Sequence, residues 1–128
     1  HIHGKDGIYA ASLLVEMMAV SGKKLSEIAE DIRKEYGEIH MEERAYRFTA
    51  EEKERIHKTL MMDQALPEIP FEIDHVSYMD GCKVYLKNGG WVSARFSGTE
   101  PLLRIFCEMQ TEHEAVLLCE VFEKFLGL

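Results

Sequence analysis

The sequence predicts an α+β fold, in which helices pack on one face of an antiparallel sheet. Between residues 71 and 109, short segments alternate apolar and polar side chains, which is typical of half-buried strands, and tight turns separate them. Segments with apolar residues three and four positions apart lie before and after these strands and indicate amphipathic helices. Because short turns join antiparallel strands, the helices are left to cover a single face of the sheet.

Composition excludes several classes of protein. The 128 residues, 46% of them hydrophobic, are enough for about one domain with a core. A formal charge of −8 disfavours binding to nucleic acid and to an anionic membrane surface. We expect no signal peptide and no membrane span. The three cysteines have no ligand or disulfide spacing, so we expect a cytoplasmic protein with Cys107 and Cys119 in its core.

Two helices are predicted at the start of the chain. Residues 7–20 are apolar nearly all round, with Asp6 as the N-cap, and such a helix requires burial on every side. It is either a core helix of this domain or part of a neighbouring one. The second helix covers residues 25–36 and ends at Gly37. The preceding His1-Ile2-His3 segment is too short to form a metal site.

The next strand and helix come from residues 38–62. In the strand, residues 38–48, Ile39 and Met41 are predicted to face the core, and Arg44 is predicted to be solvated. Thr49 and Glu52 form a capping box that begins a helix running to residue 62. Within this helix, the apolar stripe is expected to include Ile56 and Leu60, whereas His57 is expected to be exposed or half-buried.

The remainder is predicted to be mainly sheet. A linker at residues 63–70 contains two prolines, and strands follow at 71–79, 82–86, 91–96 and 102–109. Asp80 and Gly81 form a hairpin turn between the first two of these strands. A second capping box at Thr111 begins the last helix, which ends near residue 126. Its expected buried stripe comprises Ala115, Leu118, Cys119, Phe122 and Phe125.

The loop at residues 97–101 has the composition of a phosphate site. It joins two predicted strands, with Arg95 and Arg104 at its two feet. A guanidinium matches phosphate oxygens with a planar fork, and the Ser97 and Thr99 hydroxyls can donate hydrogen bonds. Gly98 admits a ligand close to the backbone and can adopt positive φ, which turns successive N–H groups inward as an anion nest. The alternative is an ordinary hairpin turn with arginines on the solvated face.

Residues 95–104, Arg-Phe-Ser-Gly-Thr-Glu-Pro-Leu-Leu-Arg, resemble a known phosphate-binding loop. The pattern R-x-S-G-T-E-P-x-x-R is similar to that in the C-terminal domain of the α-D-phosphohexomutase superfamily, which includes phosphoglucomutase/phosphomannomutase and phosphoglucosamine mutase. Residues 5–8 and the apolar helix after them resemble the helix that closes the third domain of these enzymes. The resemblance implies a sheet with helices on one side, related to TATA-box-binding-protein-like folds. It also implies a remnant of the preceding domain at residues 1–24 and a C-terminal domain at residues 25–128.

The resemblance implies a chemistry as well. In the superfamily, a phosphoserine transfers its phosphoryl group to a hexose monophosphate, Mg²⁺ supports the transfer, and hexose 1- and 6-phosphates are interconverted. The serine loop (T-A-S-H-N-P), the metal loop (D-G-D-x-D-R) and the sugar loop (G-E-x-S-G-H) do not occur in this sequence. We therefore expect this chain to be inactive by itself, with a hexose phosphate and the remaining domains of a parent enzyme as its partners.

By matching positions, the resemblance assigns five residues to the substrate phosphate, with Glu100 and Pro101 shaping the turn. The five are Arg95, Ser97, Gly98, Thr99 and Arg104.

Other functions fit the same sequence. The loop recognises phosphate, so it does not separate phosphoglucomutase/phosphomannomutase from phosphoglucosamine mutase or phosphopentomutase. A non-enzymatic α+β interaction domain is a second class, in which the loop is only a turn. A nucleic-acid-binding sheet domain is a third class, and the acidic charge argues against it.

Overall fold

A computed structural model describes residues 4–128, so the His1-Ile2-His3 segment lies outside the described residues. Contacts divide the chain into two compact units, one ending at Glu38 and the other covering Ile39–Leu128. The second predicted helix belongs to the first unit, on the other side of the boundary that the sequence suggests at residues 24 and 25.

The first unit contains two helices, α1 (Gly7–Ser21) and α2 (Leu25–Tyr36). The Asp6 carboxylate accepts a hydrogen bond from the backbone N–H of Tyr9 at 2.9 Å, which confirms the predicted N-cap. α1 has no buried residue, although it is apolar nearly all round. Its large exposed side chains include Ile8, Leu13, Leu14, Val15 and Val20.

The second unit is a five-stranded sheet with helices. Its elements are β1 (His40–Arg47), α3 (Ala50–His57), a π-helical turn (Lys58–Met62), β2 (Ile73–Ser77), β3 (Cys82–Leu86), β4 (Trp91–Phe96), β5 (Leu102–Met109) and α4 (Glu112–Leu126). The strands lie in the order β1-β5-β4-β3-β2, and every neighbouring pair is antiparallel. The predicted α+β class is therefore confirmed.

One face of the sheet packs against the helices. Alternate strand residues on this face are fully buried, and they share a single cluster with apolar residues of α3, the π-helical turn and α4. This arrangement confirms that the helices cover one face. The fully buried members include Ile56, Leu60, Val84, Val92, Ala94, Ile105, Cys107, Leu118 and Phe122. Residues at the intervening strand positions form the opposite, open face of the sheet.

The predicted inward face of β1 is wrong. Ile39 is 61% exposed and Met41 is 51% exposed, whereas Tyr46 packs against the core cluster. Arg44 is also not solvated, because its Nη1 donates to the Glu123 carboxylate of α4 at 2.6 Å. This hydrogen bond is the main cause of a raised pKa for Arg44. The face of β1 that meets α4 therefore carries a charged side chain. The local alternation of Ile39 and Met41 does not predict which face of β1 this is.

The helix predicted to end at residue 62 has two parts. Its α-helical part ends at His57, and the chain continues as a π-helical turn in which the Asp63 N–H donates to the Lys58 carbonyl at 2.8 Å. Ile56 and Leu60 are fully buried on both sides of this change, so the predicted apolar stripe is confirmed. His57 is exposed, as expected.

The turn between β2 and β3 packs directly on β4. Gly81 has a φ of +81°, and a Cβ atom added there would lie 2.6 Å from the Ala94 carbonyl oxygen and 2.6 Å from the Cβ of Arg95. Only a residue without a side chain allows this approach. The turn is therefore held against the strand position that carries Arg95.

Replacement of Gly81 by alanine tests this packing. A non-glycine residue at positive φ lowers the free energy of unfolding by about 1–2 kcal/mol, and overpacking against a fixed backbone lowers it by about 1–3 kcal/mol more. Gly89→Ala is the matched control, because Gly89 has a φ of +89° but has nothing within 4 Å of an added Cβ. In urea unfolding, Gly81→Ala should lose more free energy of unfolding than Gly89→Ala. Equal losses would contradict the close approach.

Truncation of Leu118 tests the helix-covered face. Leu118 is fully buried against the sheet, so Leu118→Ala should lower the free energy of unfolding by about 2–5 kcal/mol. Leu117→Ala removes the same atoms from the adjacent residue of α4, which is only half-buried, and should lose clearly less. Thermal or urea unfolding of both variants measures the difference. A loss at Leu117 as large as that at Leu118 would mean that α4 presents another face to the sheet.

Candidate functional site

The β4–β5 hairpin brings the two predicted arginines together. Arg95 on β4 is the direct register partner of Arg104 on β5, and residues 97–101 connect the strands beyond them. Both residues occupy open-face positions, because their neighbours Ala94, Leu103 and Ile105 are buried on the helix side. Directly opposed side chains in a sheet lie within reach of one ligand.

Backbone hydrogen bonds close the loop. The Ser97 N–H donates to the Leu102 carbonyl at 2.8 Å, and the Leu102 N–H donates to the Glu100 carbonyl at 2.8 Å. The Ser97 hydroxyl oxygen accepts a longer bond, 3.4 Å, from the Thr99 N–H. A short, internally bonded loop thus holds the two hydroxyl-bearing residues between the two arginine positions.

Gly98 differs from the expected geometry. It is not among the glycines with positive φ, so the loop does not form the nest that a left-handed glycine produces. A Cβ atom built at Gly98 would have nothing within 4 Å. The backbone at this position therefore borders open space, and a ligand can approach it without displacing protein atoms.

Each arginine is paired with acidic side chains. Arg95 Nη1 donates to Asp80 Oδ2 at 2.6 Å. Arg104 donates from Nη1 to Glu43 Oε1 at 2.8 Å and from Nη2 to Glu100 Oε2 at 3.2 Å. Sequence reasoning missed the functional interest of Asp80 and Glu43, which lie 15 and 61 residues from their arginines. No local pattern signals such pairs, since the fold alone brings them together.

A groove on the open face adjoins the loop at Arg95. It encloses about 510 Å³, and its lining includes Lys83, Tyr85, Trp91 and Phe106. Lys83 Nζ lies 3.7 Å from the centroid of the Trp91 ring and 4.8 Å from that of Tyr85, within cation–π range. The sequence pattern gave no reason to single out this groove, because its side chains come from four strands and the turn between β2 and β3.

Other chemistry is sparse in the described residues. Within residues 4–128, no group of three or more His, Cys, Asp or Glu side chains is arranged to hold a metal ion. None of the helices there has the length and apolarity that crossing a bilayer requires. Cys82, Cys107 and Cys119 are fully buried, which confirms the predicted core role of the last two. Burial raises the pKa of the Cys82 thiol to about 11, so it carries no thiolate near neutral pH.

Comparison with protein families matches both units. A model described as phosphoglucomutase/phosphomannomutase, C-terminal domain, matches residues 41–124. A second, described as phosphoglucomutase/phosphomannomutase, alpha/beta/alpha domain III, matches residues 1–36. These ranges meet close to the boundary between the two compact units.

Individual relatives agree with the family models. A phosphoglucomutase/phosphomannomutase from Thermococcus kodakarensis is 33% identical over 126 residues, covering 96% of this chain and 25% of the relative. A phosphoglucosamine mutase from Geobacillus kaustophilus is 32% identical over 107 residues, covering 84% of this chain and 20% of the relative. The chain thus spans a quarter or less of these relatives.

A solved structure supports the fold. The crystal structure of a candidate phosphomannomutase from Thermus thermophilus superposes on the whole chain with a TM-score of 0.67, at 23% identity and over 24% of that structure. The identities, the family models and this fold agree with each other. The chain belongs to the phosphoglucomutase/phosphomannomutase family and carries its C-terminal domain at residues 41–124.

Proposed function

We propose that the loop at residues 97–101 binds the phosphate of a phosphosugar, for a parent enzyme that interconverts hexose 1- and 6-phosphates. The observation that carries the proposal is the pairing of Arg95 with Arg104 across the base of the loop. The hairpin carries two arginines in register, and the loop that connects its strands adds two hydroxyls and an unobstructed glycine. These are the groups that bind phosphate oxygens in proteins.

The proposed ligands are the five residues named from the sequence. Arg95 supplies a charged fork at one foot of the loop, and Ser97 and Thr99 supply hydroxyl donors. Gly98 lets a ligand approach the backbone, since a Cβ atom built there would have nothing within 4 Å. Arg104 is the second cation, opposite Arg95.

Phosphate binding at this loop can assist a reaction that takes place elsewhere in the parent enzyme. A phosphate held by the loop positions the sugar hydroxyl that reacts elsewhere, and correct positioning lowers the barrier of a bimolecular step. Binding energy remote from the reacting atoms can also be used in the transition state. The role we propose for this chain is therefore orientation of the substrate, and the phosphoryl transfer itself is assigned to the rest of the parent enzyme.

The reacting groups and the metal are assigned to other domains of that parent. The serine, metal and sugar motifs of the superfamily do not occur in the sequence. Mg²⁺ does not fit the residues present, because residues 4–128 contain no cluster of metal ligands. We propose that the chain alone is inactive, that the parent requires Mg²⁺, and that the protein is cytoplasmic.

The domain division is part of the proposal. A remnant of a preceding α/β/α domain is followed by the phosphate-binding domain. The compact units and the family matches favour a boundary at residues 38 and 39 over the one at residues 24 and 25. The exposed apolar residues of α1 are then the surface that the rest of the preceding domain covers.

A second substrate class has comparable support. The phosphoglucosamine mutase relative and the phosphoglucomutase/phosphomannomutase relative have nearly equal identities, 32% and 33%. A loop that recognises only phosphate accepts both classes of sugar phosphate. Activity of the parent enzyme on glucose 1-phosphate and on glucosamine 1-phosphate separates the two.

An amide NMR titration tests the loop as a phosphate site. Glucose 1-phosphate should shift amides confined to residues 95–104, because the phosphate is the group recognised. Glucose at equal concentration should leave these amides unchanged. Shifts produced by both sugars, or shifts spread along α4 and β2, would contradict the proposal.

Arg95→Ala tests the assignment of the first arginine. Loss of a charged hydrogen-bond donor to phosphate costs about 1.5–3 kcal/mol, so the dissociation constant for glucose 1-phosphate should rise at least tenfold. Arg33→Ala is the control, since Arg33 is an exposed arginine of α2 that also pairs with a carboxylate, Glu30. Unchanged affinity in Arg95→Ala would remove Arg95 from the site. In the intact enzyme, the same substitution should lower kcat/KM.

A further inference from the structure

Arg95 and Arg104 are not equally available to a ligand. Arg95 uses Nη1 for Asp80 and, among the described residues, has no partner for Nη2 or Nε. Each terminal nitrogen of Arg104 donates one hydrogen bond to a carboxylate, Nη1 to Glu43 and Nη2 to Glu100, which leaves one further N–H on each. Arg95 can therefore offer a phosphate its unpaired Nε–Nη2 edge, whereas a phosphate on Arg104 meets a carboxylate at each terminal nitrogen.

The carboxylates paired with the two arginines oppose an anion. Three carboxylates, from Glu43, Asp80 and Glu100, lie against two guanidinium groups, which leaves one formal negative charge. A phosphate ester carries about −1.5 to −2 at neutral pH. These five ion-paired groups are thus negative together before the ligand arrives, and displacement of one carboxylate would favour an anion at Arg104.

Of the two carboxylates bound to Arg104, that of Glu100 is the more easily displaced. Glu43 lies on β1, two residues from Ala45, the register partner of Arg104, so the sheet fixes its position. Glu100 lies in the loop itself, its side chain is 55% exposed, and its bond to Arg104 is the longer one, 3.2 Å against 2.8 Å. An exposed ion pair of this kind contributes little to stability, so breaking it requires little free energy.

We propose that Glu100 is an internal competitor for the phosphate, bound to Arg104 Nη2 in the free protein and displaced when the ligand binds. This inference rests on the proposed phosphate-binding function. It makes Glu100 a determinant of affinity in addition to a turn residue. The loop then holds the ligand more weakly than its two arginines allow, and release of the ligand is assisted by the return of Glu100.

Glu100→Gln tests the competition. The amide keeps the size of the side chain and removes its charge, so the dissociation constant for inorganic phosphate should fall about three- to tenfold at low salt. Asp63→Asn is the matched control: it removes one charge from another exposed ion pair, with Lys58 at 2.6 Å, and should leave the affinity unchanged. The same tightening in Asp63→Asn would show a general charge effect and overturn the inference.

A measurement on the unmodified chain makes the test independent of the variant. The ¹³C resonance of the Glu100 carboxyl should shift during the phosphate titration with the same midpoint as the loop amides. A carboxyl resonance that stays constant while the amides titrate would mean that Glu100 stays on Arg104, and it would overturn the inference.

The outcomes separate the two claims. If the wild-type chain binds phosphate and Glu100→Gln binds it equally well or more weakly, the competition is refuted and the phosphate site is retained. Absence of binding by both proteins at millimolar phosphate refutes the phosphate site and the inference with it. Binding by Glu100→Gln where the wild-type chain shows none supports both.

Discussion

The register of the β4–β5 hairpin is the constraint on which the candidate site depends. It places Arg95 opposite Arg104 on the open face of the sheet and, on the other face, Ala94 against Ile105 in the core. A slip of one residue would exchange the faces of a strand, burying an arginine and exposing core residues. The hydrophobic core under the helices therefore fixes the geometry of the arginines above it. Stability and the proposed phosphate recognition therefore depend on the same strand pairing.

The two arginines of the candidate site are surrounded by acidic side chains and by the turn between β2 and β3. The Asp80–Gly81 turn packs against Arg95, and Glu43 reaches Arg104 from the edge strand β1. Opposed cations repel each other, and the neighbouring carboxylates offset that repulsion in the free protein. A phosphate can take over this role when it binds. The acidic partners thus stabilise two adjacent arginines on the sheet of an acidic chain, whose formal charge is −8.

Local patterns predicted most of the fold because most of it is encoded locally. The helix caps at Asp6, Thr49 and Thr111 and the hairpin turn at Asp80 appear in the structure, as do the strands that follow that turn. These features depend on side-chain hydrogen bonds to nearby backbone and on two-residue alternation. The loop could be recognised for the same reason, since its ten residues are contiguous.

The sequence predictions that were wrong or incomplete concern residues whose contacts lie far apart along the chain. The face of β1 was misassigned because Arg44 is neutralised by Glu123, which lies 79 residues away on α4. A partly buried ion pair can thus place a charged residue on the helix-facing side of an alternating strand. The partners of Arg95 and Arg104 were missed for the same physical reason. The groove beside Arg95 likewise depends on strands meeting in the sheet, which no single segment encodes.

A crystal structure of the chain grown with glucose 1-phosphate tests the central claim most directly. We expect a phosphate within hydrogen-bond distance of the Arg95 guanidinium and of the Ser97 and Thr99 hydroxyls, beside Gly98. A phosphate bound elsewhere on the chain, with the loop at residues 97–101 empty, would contradict it.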